Sequence, residues 1–194
     1  MSRRPYRGQV KWRDRAAGVL LGAGLVLAVT ACDADPEFTA APLQPGSSVS
    51  MPGSAQGPFA VTRIVDGDTL RVLIDGQDTA VRLIGIDTPE TVAPGRDVEC
   101  AGPEASVYAE QIMSGTSVYL ELDPTQGTYD NYGRVLAYVW LDGGNENVMA
   151  NLAMIQAGLA EEYTYDDAYK YQQLFREAEQ QAQDDLLGQW GQIC

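Results

Sequence analysis

The sequence predicts an α+β domain of about five strands and three helices, an inventory compatible with a small barrel. Three observations predict it. Two runs rich in β-branched and aliphatic residues, 61–65 continuing through 69–74 and then 79–86, flank Asp75-Gly76, a dipeptide suited to a tight hairpin turn. Residues 117–122 and 134–140 read as further strands, separated by the polar stretch 123–133. Three segments carry apolar residues at helical spacing.

Taken in order, the hairpin comes first. Counting outward from Asp75-Gly76 sets Thr69 opposite Arg82, Asp68 opposite Leu83 and Asp87 opposite Ile64. Two acids and a guanidinium thus gather at one end of the hairpin. Gly102-Pro103-Glu104 opens the first helix, with proline in the first turn and an acid at the positive end of the dipole. Ala105, Tyr108 and Ile112 then share one face. A second helix is expected over 147–157, with Val148, Leu152 and Ile155 aligned and Gly158 as its stop. The third spans 167–187, its buried stripe formed by Tyr171, Leu174, Phe175, Ala178 and Ala182.

The domain accounts for only part of the 194 residues. Residues 1–15 carry six basic side chains and one acid, and 16–30 form an uncharged run rich in Leu, Val, Ala and Gly. A basic segment followed by an apolar run too short to span a membrane comfortably reads as a secretory signal peptide over 1–31. Its end, Val29-Thr30-Ala31-Cys32, resembles the lipobox of bacterial lipoproteins, in which the cysteine is lipidated and becomes N-terminal. An ordinary cleavage site followed by a chance cysteine is the alternative. Residues 32–58 hold five of the ten prolines and few large apolar groups, as a disordered tether would. The folded domain is expected over 59–194.

Without residues 1–31 the chain keeps seven basic and 26 acidic residues, a formal charge of −19. Such a surface repels polyanions at long range, so nucleic-acid chemistry here depends on local cations. Histidine is absent from the sequence, leaving base chemistry to a carboxylate. If Cys32 takes lipid, Cys100 and Cys194 remain as an even pair in an exported protein and are expected to form a disulfide. That bridge closes a loop of 94 residues and is worth roughly 4–5 kcal/mol in the chain-entropy picture.

Asp68 and Asp87 are candidate oxygen ligands for a hard divalent cation, with the Thr88 carbonyl fixed by Pro89. Glu90 follows three residues after Asp87, and Arg82 and Arg134 each offer a planar fork to phosphate oxygens. Taken one at a time, these are also ordinary turn, helix-entry and salt-bridge residues.

Their order is more specific. Val65-Asp-Gly-Asp68-Thr69, Arg82-Leu-Ile-Gly-Ile-Asp87-Thr-Pro-Glu90, Gly102-Pro-Glu-Ala-Ser106, Asp130-Asn-Tyr-Gly-Arg134 and Gln156-Ala-Gly-Leu-Ala160 resemble the successive signatures of the staphylococcal nuclease (thermonuclease) family, from about residue 59 to 190. The resemblance implies an OB-fold, a five-stranded barrel with three α-helices. It also implies Ca²⁺-dependent cleavage of phosphodiesters in DNA and RNA, leaving 3′-phosphates. Carried onto this chain, Asp68, Asp87 and the Thr88 carbonyl bind Ca²⁺ with Asp66 in support, and Glu90 activates or positions water. Arg82 and Arg134 bind the scissile phosphate and stabilise its five-coordinate transition state. Tyr132, Tyr163 and Tyr165 correspond to nucleotide-contacting positions. The last two align only across a one-residue deletion, and packing is their alternative role.

The chain departs from the family where a lysine often precedes the tyrosine; Asn131 stands there, and residues 91–100 hold one arginine, Arg96, where several lysines are common. Modest affinity and a shallow salt dependence are expected. Activity should climb into alkaline pH, since water is hard to deprotonate and a histidine-like optimum at about pH 6 has no group to produce it. The full expectation is a monomeric, exported nuclease anchored to the membrane through Cys32. The alternatives are a non-catalytic OB-fold module binding nucleic acid or protein, and a calcium-binding lipoprotein without chemistry.

Overall fold

The computed structural model describes residues 49–91, 98–142, 147–165, 167–191 and 193–194. The expected signal peptide, Cys32, the tether as far as residue 48, and Arg96 lie outside the described residues. In chain order the elements are β1 (Gln56–Ile64), β2 (Thr69–Ile74), β3 (Gln77–Leu83), β4 (Ile86–Asp87), α1 (Gly102–Met113), β5 (Ser117–Glu121), β6 (Val135–Leu141), β7 (Val148–Met149), α2 (Ala150–Gln156), β8 (Glu161–Glu162) and α3 (Gln172–Asp184). Strands run β3-β2-β1-β5-β6, and a parallel pairing of β3 with β6 closes them into a five-stranded barrel. The expected α+β architecture, an OB-fold barrel with three helices, is what forms.

The β2–β3 hairpin has the register counted from its turn: Thr69 faces Arg82, Leu70 faces Val81 and Ile74 faces Gln77. Asp75 and Gly76 both take positive φ, 49° and 79°, as a two-residue turn matched to strand twist requires. Two expectations are corrected. Residues 61–74 are not one run but two antiparallel strands, with Ile64 facing Leu70. The chain reverses at Asp66-Gly67-Asp68, where Val65 and Asp66 donate their N–H groups to the Thr69 carbonyl at 2.9 and 3.3 Å.

Asp87 is also not opposite Ile64. β3 ends at Leu83, and Gly85, at φ 78°, turns the chain outward. Ile86 and Asp87 then pair with Glu162 and Glu161. A Cβ on Gly85 would come within 2.5 Å of the Tyr169 ring, whose hydroxyl donates to the Gly85 carbonyl at 3.1 Å. Only glycine satisfies both the backbone angle and that close approach.

Burial alternates along the hairpin: Leu70, Val72, Val81 and Leu83 point inward, and Arg71, Leu73, Ala80 and Arg82 lie on the outer face. β6 is covered on both sides, which explains its continuous apolar sequence. Tyr138 and Trp140 lie against Tyr171 and Phe175, and α1 contributes Ala105, Tyr108, Ala109 and Met113 to the core. Both later helices are shorter than expected. Val148–Met149 is a strand before α2, and the backbone N–H of Lys170 is held by Asp123 before α3 begins. Gly158, at φ 67°, ends α2 as expected, with the Leu159 N–H returning to the Met154 carbonyl.

β1 starts at Gln56, and Val49, Met51 and Ala55 pack on the core, so the chain engages the barrel ahead of the residue-59 boundary. Cys100 and Cys194 form the expected disulfide. Among the described residues no helix is long and apolar enough to cross a membrane.

Buried polar groups tie the layers together. Glu121 accepts from Trp140 Nε1, Lys170 Nζ and Tyr171 Oη, and Asp123 accepts from Tyr138 Oη at 2.8 Å. Burial opposes ionisation of Asp123, but the N–H groups of Lys170 and Thr125 and two hydroxyls outweigh it and hold its pKa below the usual 3.8. A carboxylate with a depressed folded pKa contributes stability that is present above about pH 4 and lost as pH falls through the folded value. Acid melts should therefore show Asp123→Asn closing part of the gap to wild type below pH 4. An unchanged gap across pH 7 to 3 would contradict that account.

Candidate active site

The outer end of the β2–β3 hairpin carries the site. Asp68, at the β1–β2 reversal, is 6% exposed, and its carboxylate gathers several donors. Thr69 Oγ1 donates to Oδ1 at 2.9 Å, and Thr88 donates its N–H and hydroxyl to Oδ2 at 3.1 Å each. Arg82 forms an ion pair with Asp68 through Nη1, and its Nη2 reaches Asp87 Oδ1 at 2.8 Å and the Ile86 carbonyl at 3.1 Å. Gly67 permits the approach of Thr88, because a Cβ there would sit 2.8 Å from Thr88 Cγ2. Asp68, from the first motif, thus meets Arg82, Asp87 and Thr88 of the second.

Arg134 joins them from the turn before β6. Its Nε donates to Asp130 Oδ2 at 2.6 Å, its Nη1 lies 3.3 Å from Thr69 Oγ1, and its guanidinium sits 5.4 Å from the centre of the Tyr132 ring. Thr69 therefore bridges Asp68 and Arg134. Asp130 also accepts the N–H groups of Tyr132 and Arg134 at 2.9 Å, so one carboxylate fixes both the turn and the arginine it presents.

Asp66 caps the reversal by accepting the Asp68 N–H at 3.2 Å. Burial raises its pKa, the Thr69 hydroxyl and Arg82 lower it, and Glu90 raises it further. Burial likewise lowers the pKa of Arg82, against the opposing pull of Asp87. Glu90 Oε1 accepts the Thr91 N–H at 2.9 Å. The backbone of Glu90 is clamped by Glu99, whose N–H donates to the Glu90 carbonyl at 2.9 Å and whose Oε2 accepts the Glu90 N–H at 3.0 Å.

Tyr163 is tied to the site by its N–H to the Gly85 carbonyl, and its ring lies 6.3 Å from that of Tyr165. The Tyr165 hydroxyl is 3.5 Å from Asn131 Nδ2. Tyr132, Tyr163 and Tyr165 are 86%, 44% and 66% exposed.

The donor set suits a hard cation. The Asp68 and Asp87 carboxylates, both paired with Arg82, offer oxygen alone, as would the Thr88 carbonyl, and the four carboxylates of Asp66, Asp68, Asp87 and Glu90 outnumber the two guanidiniums. Among the described residues no three acidic side chains converge on one point, so an ion here must complete its shell with carbonyl oxygen and water.

Residues 80–192 match the family described as "Staphylococcal nuclease homologue". The chain belongs to the staphylococcal nuclease family. It is 42% identical to the thermonuclease of Staphylococcus intermedius over 132 residues, covering 68% of this chain and 75% of that protein. It is 40% identical to the thermonuclease of Staphylococcus hyicus over 139 residues, 72% of this chain and 79% of that one. Identity to endonuclease YncB of Bacillus subtilis is 38% over 129 residues, 66% of this chain and 59% of that protein. The chain is thus a nuclease, a hydrolase acting on nucleic acid.

Several of this nuclease's site-building residues escaped sequence reasoning. Thr69 and Asp130 stood inside recognised motifs but carried no assigned role. Glu99 was invisible because its partner lies nine residues away across segment 92–97. Asn151 is fully buried in α2, accepting the Val139 N–H and donating to the Ile84 carbonyl, both at 2.9 Å. An asparagine amid the apolar residues of α2 was the available signal.

Proposed function

We propose that this nuclease is a calcium-dependent phosphodiesterase of DNA, RNA or both, working as a monomer outside the cytoplasmic membrane. The observation that carries this reading is the meeting of Asp68, Asp87 and Thr88 with Arg82 and Arg134 at one end of the barrel. Ca²⁺ held by the Asp68 and Asp87 carboxylates and the Thr88 carbonyl would supply concentrated positive charge beside the phosphate. Arg82 and Arg134 donate to the non-bridging oxygens, whose negative charge grows as water attacks phosphorus, so their stabilisation is largest in the transition state. Arg134 has Nη2 available for this, since no partner engages it among the described residues.

Glu90 accepts a proton from the attacking water, a carboxylate doing the base chemistry in a chain without histidine. Asp66 supports Asp68, Asp130 aims Arg134, and the three tyrosines offer ring faces to bases, a sequence-tolerant contact. Kinship with a bacterial endonuclease supports cleavage at internal bonds. The basic leader, apolar run and Cys32 support export and a lipid anchor, which acyl chains detected on Cys32 would test. Digestion of single-stranded DNA and of RNA, with Ca²⁺ or with chelator, tests the whole reading: cleavage that continues unabated in chelator would overturn it.

A further inference from the structure

With 26 acids against seven bases after residue 31, the placement of those bases is informative. Four of the seven stand across adjacent strands of one barrel wall, whose order is β6-β3-β2-β1. Arg134 immediately precedes β6, Arg82 lies on β3, Arg71 on β2 and Arg63 on β1. Arg82 faces Thr69, two residues from Arg71, which itself faces Arg63. The inward positions Leu70, Val72 and Val81 place Arg71 and Arg82 on the same outer face.

Diagonal neighbours of this kind stand about 7–8 Å apart, a step that consecutive phosphates of one strand span. Arg71 is held upright by Asp78, with Nε 2.5 Å from Oδ2 and Nη2 2.7 Å from the carbonyl. Thr62 Oγ1 shares that carboxylate at 2.6 Å. Arg63 is exposed and makes no ion pair among the described residues, although its charge helps to lower the pKa of Asp78. Like charges directly opposite on neighbouring strands are unfavourable by themselves. Asp78 already offsets part of that cost, and a bound polyanion would offset the rest.

We propose that Arg71 and Arg63 form a phosphate track that carries a single polynucleotide strand away from the scissile phosphate at Arg82 and Arg134, across β2 onto β1. This rests on the nuclease reading above and adds to it a subsite for the strand beyond the cleaved bond. Because residues 32–194 carry a formal charge of −19, the track also explains how a strand is led to the site at all. A dinucleotide, with one phosphodiester, fills only the Arg82–Arg134 end. A longer strand reaches both.

The test compares wild type, Arg63→Ala, Arg63→Lys and Arg71→Gln on a dinucleotide and on a ten-nucleotide single strand. Binding of the labelled ten-mer is followed in parallel by fluorescence anisotropy against salt. Each removal should raise KM for the ten-mer about two- to fivefold and lower the slope of log affinity against log salt by about 0.7. Dinucleotide kinetics should not move, and Arg63→Lys should restore most of the loss. Equal effects on both substrates, or an unchanged salt slope, would overturn the track while leaving the nuclease reading intact. A wild-type protein that neither cleaves nor binds the ten-mer would overturn both.

Discussion

Glu90→Gln is expected to lower kcat on single-stranded DNA by on the order of 10²–10⁴, and Arg134→Ala by on the order of 10²–10³. Glu90 follows β4 and Arg134 precedes β6, so both lie outside the barrel strands. The Arg134–Asp130 pair joins residues four apart, with the arginine 30% exposed, so its loss should cost at most about 1 kcal/mol of stability. Thermal melts of both variants should therefore lie near wild type while turnover collapses. Arg82→Ala is a poorer probe. It would strip the charge partner from a nearly buried Asp68, and a broken buried pair costs about 3–5 kcal/mol. Asp130→Asn separates aim from chemistry: Arg134 remains but loses its charged brace, so a smaller fall in kcat than Arg134→Ala is expected. If Glu90→Gln and Arg134→Ala kept full turnover, neither group would act at the phosphate.

Asn151→Ala should destabilise the domain by about 3 kcal/mol, although it deletes only a small amide. The amide side chain is fully buried and satisfies the Val139 N–H and the Ile84 carbonyl at once. Truncation leaves both groups desolvated and unpaired, which costs about 1–3 kcal/mol each. Ile84 sits at the point where β3 ends and the chain turns toward Asp87. The variant should therefore also lose activity below its melting temperature, by displacing Asp87 relative to Asp68. Equilibrium denaturation together with kinetics checks this, and a loss under 1 kcal/mol would show that water or backbone relaxation replaces the amide.

The parts legible in the sequence were those governed by neighbours in the chain. Asp75-Gly76 dictates a turn, and the turn dictates that Thr69 meets Arg82. The Cys100–Cys194 pairing followed from setting Cys32 aside for lipid, which leaves an even pair in an exported protein. Illegible were the features set by distant partners. Asp87 leaves the hairpin because Gly85 must turn beneath Tyr169 and because Glu161 and Glu162 offer a strand to pair with, and neither is visible near residue 87. Residues 61–74 looked like one strand because Asp66-Gly67-Asp68 is compatible with extension as well as with reversal. The site's carboxylates and guanidiniums were found through ordered motifs. Its supports, Thr69, Asp130, Glu99 and Asn151, act through two or three hydrogen bonds each, which leave no periodic pattern.

We propose that Asp68 and Asp87, together with the Thr88 carbonyl, hold Ca²⁺ beside the two arginines. Calorimetric titration of Ca²⁺ into wild type and Asp87→Asn reads it without relying on turnover. Binding by wild type, weakened on the order of tenfold or more in Asp87→Asn with the fold intact, is the predicted result. The same affinity in both proteins, or no binding by wild type, would contradict it.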